Sequence, residues 1–450
     1  MRLPDDLVAA CVEPAWDLWE TRGRRLASWR RLRCLQWDPP ASVDARRRAA
    51  LAAIVQHAAA TTPFYAERFA AAGLDPRAVR DIADLARLPV LAKDDLRVRG
   101  AELFSRAVPR EELVPAKTGG STGVALQVWC DRAGVDLRGG AALLVDTWSG
   151  WRIGQPVAAV WGNPPVPRTA RQRLRAWARE RILFLDTMRI DAAAIDAFAA
   201  GWRRLRPGLL FGHAHSLFIL AEALEGRSLA PPPRGIVATS MMLLKPEREV
   251  IERICGVPVT NRYGCEELGL IACECERHGG MHLSAETVWV ETLRDDGSPC
   301  APGEDGRLVI TDLVNRGQPL IRYAVGDRGA LAPDPCPCGR GWPLLAALTG
   351  RTADFLFALD GSRVAGISLI ENTLTRLPGI RQLQLVQEAR GALVANLVPA
   401  TGWSEITARA LTATLRDALG ADLRVEIRLT ERIAQEPSGK YRFSICRVPA

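Results

Sequence analysis

The sequence predicts an α/β protein with a large, multi-sheet N-terminal domain, residues 1–350, and a small α+β C-terminal domain, residues 351–450. Three observations predict this organisation. Strand-like and helix-like segments alternate from about residue 115 to 265. Strand-like segments with turns dominate from about 283 to 331, and a shorter series of strands and helices begins near 352. A chain of 450 residues is long enough for two or three domains.

The N-terminal part begins with a helical segment rich in arginine and alanine that extends to about residue 60. A turn at Gly73–Pro76 and a loop at Arg87–Leu91 lead to a helix that begins at Lys93. Two β-like segments then follow, Leu113–Ala116 and Ala125–Trp129. The stretch between them is rich in glycine and hydroxyl side chains.

The alternating region contains short apolar segments that are typical of buried strands. We predict strands at Pro156–Trp161, Ile236–Ala238 and Val257–Val259, a basic helix at Arg168–Arg179, and a helix whose first residues are Phe211–Leu217. In the C-terminal part, a turn at Asp360–Gly361 precedes a predicted helix at Ser404–Leu419 and a strand at Leu423–Leu429. The step from Gly350 to Arg351 is the predicted hinge.

Composition favours a soluble, cytoplasmic protein: 48% of residues are hydrophobic and 24% are charged. The sequence has no apolar run of about 18 residues and no apolar N-terminal segment, so we expect neither a membrane span nor a secretory signal. The net charge is +8, yet the basic residues are dispersed among 51 acids. The charge alone therefore does not indicate a nucleic-acid partner. Only four of the 59 basic residues are lysines, namely Lys93, Lys117, Lys245 and Lys440.

The eleven cysteines do not suggest a disulfide framework in a chain without an export signal. Four of them lie together with two histidines in one stretch: Cys273, Cys275, His278, His282, Cys336 and Cys338. Thiolate and imidazole are the ligands that zinc prefers. Because Cys-x-Cys is tighter than the usual Cys-x-x-Cys, the spacing alone leaves the ligand set open.

The segment Lys117–Gly123 is a candidate anion-binding loop. Its three glycines allow backbone N–H groups to converge on an anion, and its hydroxyls add further donors. It is not a Walker A loop, because no Gly-Lys-Ser/Thr ends it and no helix follows directly. A plain hairpin turn is the alternative interpretation.

Three further motifs place polar residues beside predicted strands. Tyr263 could offer a ring face to a purine, and the acid Glu267 follows it closely. Asp327 follows Gly326, where its carboxylate could accept two hydroxyl donors. Lys440 ends a Pro-Ser-Gly-Lys loop. Each of these motifs alone could equally be a solvated turn.

Taken in order, these motifs resemble the adenylate-forming superfamily of acyl- and aryl-CoA synthetases. Within it, the chain is most similar to the phenylacetate–CoA ligase-like and capsular-polysaccharide-associated branch. Supporting phrases are Thr62–Tyr65, Leu88–Lys93, Cys336–Arg340 and Pro437–Phe443. The resemblance covers roughly residues 50–450.

The resemblance implies that the protein binds ATP, Mg²⁺ and a small carboxylic acid, forms an acyl-adenylate with release of pyrophosphate, and passes the acyl group to a thiol, coenzyme A. The phosphates would be held by Thr118, Gly119, Gly120, Ser121, Thr122 and Gly123. Tyr263 would flank the adenine, Asp327 would hold the ribose, and Arg351 would lie on the ribose or phosphate side. Glu267 would bind Mg²⁺, and Lys440, on a mobile lid, would bridge the substrate carboxylate and the α-phosphate.

The resemblance also implies a structural zinc site formed by Cys275, His282, Cys336 and Cys338, with Cys273 and His278 as substitutes if the set is misassigned. His213, His215 and Ser240 are the expected acyl-pocket residues, although the two histidines could equally cap and pack a helix. A monomer or homodimer is expected.

The sequence departs from the family pattern at three places. Val124–Ala125 stand where many relatives have Lys-Pro, Ala353 stands where an aspartate is usual, and Ala238–Ser240 replace a common Gly-Glu pair. Two alternatives therefore stay open. The acyl group could go to an acyl carrier protein, an amine or a hydroxyl, or the chain could be a retired ligase scaffold that binds nucleic acid or another partner.

Overall fold

The computed structural model describes residues 3–117, 126–162, 164–187, 191–226, 229–351, 355–361, 363–434 and 441–448. Within these residues the chain is a mixed α/β protein, as the sequence predicts. Its α-helices are α1 (Asp5–Leu7), α2 (Glu13–Thr21), α3 (Arg24–Leu35), α4 (Pro40–Thr61), α5 (Pro63–Ala71), α6 (Lys93–Arg99), α7 (Arg132–Trp148), α8 (Ala170–Arg175), α9 (Ala192–Leu205), α10 (Ala214–Ala223), α11 (Lys245–Cys255), α12 (Gly366–Arg376) and α13 (Glu405–Leu419).

The strands are numbered in their order along the chain. They are β1 (Leu113–Lys117), β2 (Gln127–Asp131), β3 (Val157–Trp161), β4 (Ile182–Asp186), β5 (Leu209–His213), β6 (Gly235–Thr239), β7 (Val259–Cys265), β8 (Gly269–Glu274), β9 (Met281–Leu283), β10 (Val288–Leu293), β11 (Gly306–Asp312), β12 (Tyr323–Leu331), β13 (Leu344–Arg351), β14 (Phe355–Phe357), β15 (Arg363–Ala365), β16 (Ile380–Ala389), β17 (Ala392–Pro399), β18 (Arg424–Leu429) and β19 (Ser444–Cys446).

One large sheet dominates the N-terminal part. Within the described residues it has 11 strands in the order β10-β11-β12-β13-β9-β8-β7-β6-β5-β3-β4. The pairs β3–β4, β3–β5, β5–β6 and β6–β7 are parallel. All five residues of β6 are buried, as expected for a parallel strand that is covered on both faces.

The other half of the large sheet is antiparallel. It runs from β7 through β8, β9, β13, β12 and β11 to β10. Its buried side chains join those of α4, α5 and the following loop in one core, which includes Phe64, Tyr65, Ile321 and Tyr323. Strands β1 and β2 form a separate two-stranded sheet, and their register ends with Lys117 opposite Gln127.

Polar caps explain where several helices begin. Asp131 precedes α7 and accepts a hydrogen bond from the backbone N–H of Gly134 at 2.8 Å. Asp191 does the same for α9, through Ala194 at 2.8 Å. Ser404 caps α13, which therefore begins as the sequence predicts. Each cap satisfies a donor that the first helical turn would leave unpaired.

The C-terminal part forms a smaller α+β unit with its own core. Its main sheet has the order β18-β17-β16-β19 within the described residues, and β14 pairs with β15. Leucines of β16, β17 and α13 fill the core, together with Phe443. The boundary between residues 350 and 351 stays a prediction. No helix in the described part of the chain is long and apolar enough to cross a membrane.

Two predicted elements differ from the structure. The helix expected within Phe211–Leu217 begins only at Ala214, because Phe211 and His213 still belong to β5. The strand expected at Val257–Val259 instead starts at Val259 and continues to Cys265.

Candidate functional site

The carboxyl ends of the parallel strands define the edge where the candidate site lies. Strand β3 lies between β4 and β5, and all three strands are parallel. Successive strands are therefore added first on one side of β3 and then on the other, which makes the gap between β3 and β5 a topological switch point. Crevices outside the carboxyl ends of strands at such a switch point are common ligand sites. Here the two strands end at Trp161 and His213.

An aromatic wall stands at this switch point. The ring centroids of Trp161 and His213 are 4.1 Å apart, and Trp161 stacks on Phe211 at 5.6 Å. Phe211 and His213 are two residues apart on β5, so their side chains point to the same face of the sheet. The guanidinium of Arg262 lies 4.8 Å from the Phe211 ring. Trp161 and Phe211 are partly exposed and offer flat apolar surface, whereas His213 is buried, and its acyl-pocket role stays a prediction.

The predicted nucleotide residues on β7 and β12 are brought together. The hydroxyl of Tyr263 donates a hydrogen bond to Asp327 at 2.6 Å. Asp327 is half-buried and pairs in register with Arg351 of the neighbouring strand β13. Three residues from separate motifs therefore lie side by side, although the side chain of Arg351 is outside the description.

Glu267 and Tyr323 form a second hydrogen-bonded pair of an acid and a tyrosine. Glu267 follows β7 and is buried, and its carboxylate accepts a hydrogen bond from the hydroxyl of Tyr323 at 2.9 Å. Burial, together with the negative charge of Glu267, raises the pKa of Tyr323 far above its usual value. The tyrosine is therefore a permanent hydrogen-bond donor to this carboxylate at any working pH.

Lys93 is a residue of this site to which the sequence analysis assigned no role. A Cβ built on Gly326, which has φ +88°, would lie 3.8 Å from the Lys93 ammonium, so this cation sits beside the Gly326–Asp327 step. Backbone hydrogen bonds between Leu91 and β12 hold the lysine there. Lysine is rare in this chain, and that rarity is the sequence signal that could have identified Lys93 as a site residue.

The other expected acyl-pocket residues have contrasting surroundings. Ser240 directly follows β6 and has φ +66°, a left-handed conformation that is unfavourable for serine. His215 is buried in α10, where its Nδ1 pairs with Glu247 and its ring contacts Tyr441 and Phe443. These contacts do not favour the acyl-pocket position expected for His215. The role of Ser240 stays a prediction.

Two predicted motifs fall outside the described residues. Thr118, Gly119, Gly120, Ser121, Thr122 and Gly123 lie within 118–125, and Lys440 lies within 435–440. The strands that flank the first motif, β1 and β2, are antiparallel partners. The residue that follows Lys440, Tyr441, is described.

The predicted zinc ligands converge from three separate segments. Cys275 follows β8, His282 lies on β9, and Cys336 and Cys338 lie between β12 and β13. Their ligand atoms all lie within 4.8 Å of one another. The Cys275 and Cys336 sulfurs are 3.8 Å apart, and Cys338 Sγ is 3.3 Å from His282 Nε2.

The surroundings of this four-residue cluster orient its ligands. His282 Nδ1 donates to the carbonyl of Trp342 at 3.1 Å, so Nε2 faces the thiols. Burial lowers the pKa of His282 to about 4, which leaves the ring neutral. The substitutes lie elsewhere: His278 is paired with Glu274 at 3.1 Å, and Cys273 opposes His282 across the β8–β9 ladder.

Arg340 connects the cluster to the N-terminal helices. Its backbone N–H donates to Cys338 Sγ at 3.4 Å, and its guanidinium donates to Gln36 at 2.9 Å. The guanidinium also lies 4.6 Å from the rings of Trp37 and Trp148. The cluster therefore sits where α3, α7 and the antiparallel half of the sheet meet.

The fold is similar to that of solved adenylate-forming CoA ligases. The chain superposes with a TM-score of 0.74 on a 2-hydroxyisobutyryl-CoA ligase in the postadenylation state in complex with R3-HIB-AMP, at 20% identity and over 91% of each chain. The same ligase in the thioesterification state gives a TM-score of 0.60, at 21% identity, over 92% of this chain and 91% of the other. The predicted fold class is confirmed.

Sequence comparison identifies particular relatives. The phenylacetate-coenzyme A ligase of Thermus thermophilus is 26% identical over 375 residues, which is 80% of this chain and 81% of the relative. The enzyme of the same name from Escherichia coli is 26% identical over 67% of this chain and 69% of its own. Residues 356–447 match the family model of the CapK C-terminal domain. The resemblance to the phenylacetate–CoA ligase-like and capsular-polysaccharide-associated branch is confirmed.

Proposed function

We propose that the protein is an ATP-dependent ligase that activates a carboxylic acid as an acyl-adenylate and transfers the acyl group to the thiol of coenzyme A. The observation that carries this proposal is the pairing of two acids with two tyrosine hydroxyls at one edge of the sheet: Asp327 with Tyr263, and Glu267 with Tyr323. The relationship to phenylacetate-coenzyme A ligases supports it.

The first pair suits a nucleoside. A carboxylate can accept two hydroxyl donors at once, so Asp327 is suited to the ribose diol. The hydrogen bond from Tyr263 fixes the orientation of that carboxylate, and the tyrosine ring offers a face for adenine. Arg351, opposite Asp327 in the strand ladder, would lie on the same side.

The second pair suits a magnesium ion. Carboxylate oxygen is the ligand that Mg²⁺ prefers, and the carboxylate of Glu267 is oriented by the hydroxyl of Tyr323. When bound, Mg²⁺ would neutralise charge on the ATP phosphates. Glu267 would bind the ion, and Tyr323 would keep the carboxylate in place.

Fixed positive charge has a clear purpose in the proposed reaction. A carboxylate oxygen bonds to the α-phosphorus while the bond to pyrophosphate breaks, so two anions must approach each other. Lys440 would lie between them, and the Lys93 ammonium adds a cation beside Asp327. A thiol then attacks the acyl carbon and AMP leaves. The loop Thr118–Gly123 would hold the phosphates during the first step.

The aromatic wall favours a flat, apolar acyl group. The partly exposed rings of Trp161 and Phe211 offer flat faces at the sheet edge, so aryl acids are the first class to test. The test is exchange of labelled pyrophosphate into ATP with phenylacetate, benzoate and hexanoate, followed by thioester formation with coenzyme A. Acid-dependent exchange is the expected result. Absence of exchange with a broad acid panel, while ATP still binds, would overturn the proposal.

We also propose that the four-residue cluster binds a structural zinc ion. Three thiols and one imidazole with ligand atoms within 4.8 Å form a donor set that fits tetrahedral Zn²⁺. The four protein ligands fill a tetrahedral shell, so a structural role suits the site better than a catalytic one. All eleven cysteines are free, which fits a reducing compartment such as the cytoplasm.

A further inference from the structure

The segment that directly follows Lys440 packs against the N-terminal part of the protein. The rings of Tyr441 and Phe443 are stacked at 5.9 Å, with an interplanar angle of 12°. Both rings are edge-on to His215, at 4.3 and 4.6 Å. Because His215 lies two residues after His213, at the start of α10, this contact is next to the candidate acyl pocket.

His215 is held in place by a buried acid from a second helix. Its Nδ1 is hydrogen-bonded to the carboxylate of Glu247, in the first turn of α11. Both residues are almost completely buried, at 1% and 4% exposure. Burying a carboxylate is costly unless it is paired, so the pair must stay together in the folded protein. The imidazole therefore presents a fixed edge to the two rings.

The two rings are firmly attached to the C-terminal unit. The backbone N–H of Leu385, on β16, donates to the carbonyl of Phe443 at 2.8 Å. Leu244, which precedes α11, belongs to the same apolar core as Phe443. An ion pair between Arg381 and Glu222 at 2.8 Å adds a second point of contact between β16 and α10. Moving the C-terminal unit would therefore carry Tyr441 and Phe443 away from His215.

We propose that the His215–Glu247 pair positions the loop that carries Lys440 for the adenylation step. The pair offers a buried docking surface to Tyr441 and Phe443, and Tyr441 directly follows Lys440 in the sequence. His215 is thus a positioning residue that acts through the C-terminal segment, and it does not contact the acyl group. The inference rests on the proposed ligase function.

The test separates the two half-reactions. His215→Ala and Tyr441→Ala should each lower acid-dependent pyrophosphate exchange by about 100-fold, because misplacement of a reacting group by about 1 Å has that effect. Thioester formation from supplied acyl-adenylate and coenzyme A should stay within about twofold of the parent rate. Tyr441→Ala leaves the N-terminal core untouched, so it still tests the proposal if His215→Ala does not fold. His57→Ala, at a partly exposed histidine in α4, is the matched control and should alter neither rate.

Hydrogen exchange at the start of α10 provides a readout that does not need a known acid. The first amides of a helix lack intrahelical partners, so their protection depends on what covers them. The rate of amide hydrogen exchange in residues 214–217 should rise in Tyr441→Ala and stay unchanged in His57→Ala. The inference would be overturned if the variants lose both half-reactions equally. It would also be overturned if they keep full pyrophosphate exchange and the amides of residues 214–217 keep their protection from hydrogen exchange. If the parent shows no pyrophosphate exchange with any acid, the ligase proposal fails, and amide protection alone then decides whether His215 docks the segment.

Discussion

At the residue scale, the site depends on hydroxyl groups that orient carboxylates. Tyr323 and Tyr263 each donate one hydrogen bond to an acid, at 2.9 and 2.6 Å. Neither tyrosine is placed to react, since each hydroxyl is already committed to its carboxylate. Their contribution is orientation, which can be removed by deleting a single oxygen atom.

Tyr323→Phe tests this role at the proposed magnesium site. Loss of the hydroxyl removes one hydrogen bond that orients Glu267, so the Mg²⁺ concentration needed for half-maximal pyrophosphate exchange should rise about tenfold. Titration of the exchange rate with Mg²⁺ measures this. Tyr65→Phe is the matched control, because that buried hydroxyl bonds only the backbone of Pro319 and Ile321. It should cost about 1 kcal/mol of stability and leave the Mg²⁺ dependence unchanged. An unchanged Mg²⁺ dependence in Tyr323→Phe would contradict the assignment.

Residue types narrowed the candidates for the four-residue cluster and for the Tyr263–Asp327 pair, and the family resemblance then selected among them. Zinc ligands must be soft donors and ribose ligands must be oxygen acceptors, so few residues in the sequence qualify. The environment of His215 could not be predicted in the same way. Its contacts with Tyr441 and Phe443 join positions more than 220 residues apart, and no local pattern encodes them.

At the element scale, the contact between α3 and α7 depends on one glycine. A Cβ at Gly140 would lie 2.8 Å from the backbone nitrogen of Trp29 and 2.9 Å from the carbonyl oxygen of Arg25. Backbone atoms cannot move aside without shifting a helix. At the neighbouring Gly139, a Cβ would meet only the flexible side chain of Arg25, at 3.2 Å.

Substitution of these two glycines therefore gives a matched pair. Gly140→Ala should lower the free energy of unfolding by about 1–3 kcal/mol, because the helices would be forced apart. Gly139→Ala should be neutral or stabilising by up to about 1 kcal/mol, because alanine favours the helix. Urea denaturation of both variants measures the difference. Equal effects would show that the two helices do not approach as closely as described.

The four-residue cluster, which we propose binds zinc, joins the end of β8, strand β9 and the segment between β12 and β13. Elemental analysis should find about one zinc ion per chain. Cys336→Ser should abolish that content and lower the unfolding temperature by several degrees. Cys34→Ser, at an exposed thiol, should change neither quantity. Retention of full zinc content in Cys336→Ser would exclude the cluster as the site.

Element boundaries were less predictable than element types. The apolar pattern located β3 and β6 because buried parallel strands are nearly continuous apolar runs. It placed β7 too early, because Val257 is apolar but precedes the ladder with β6, which begins at Val259. The apolar pattern also failed to predict that β5 continues through Phe211 to His213. Polar and aromatic residues at this end of the strand interrupt the apolar run.

At the scale of the whole molecule, two cores meet at the start of α10 and α11. The parallel half of the large sheet packs around Trp202 and Leu217, whereas the C-terminal unit packs around Leu411 and Leu415. Met241 lies at the border and contacts both. The sequence predicted two domains, but their contact arises only from the tertiary fold.

The central claim is that this chain forms an acyl-adenylate with Lys440 supplying positive charge. The most direct measurement compares acid-dependent exchange of labelled pyrophosphate into ATP in the parent protein and in Lys440→Ala. We expect exchange in the parent, a loss of at least about 100-fold in the variant, and unchanged thermal unfolding and ATP binding. Equal exchange in both proteins would contradict the role of Lys440, and no exchange in the parent with any acid would contradict the ligase assignment itself.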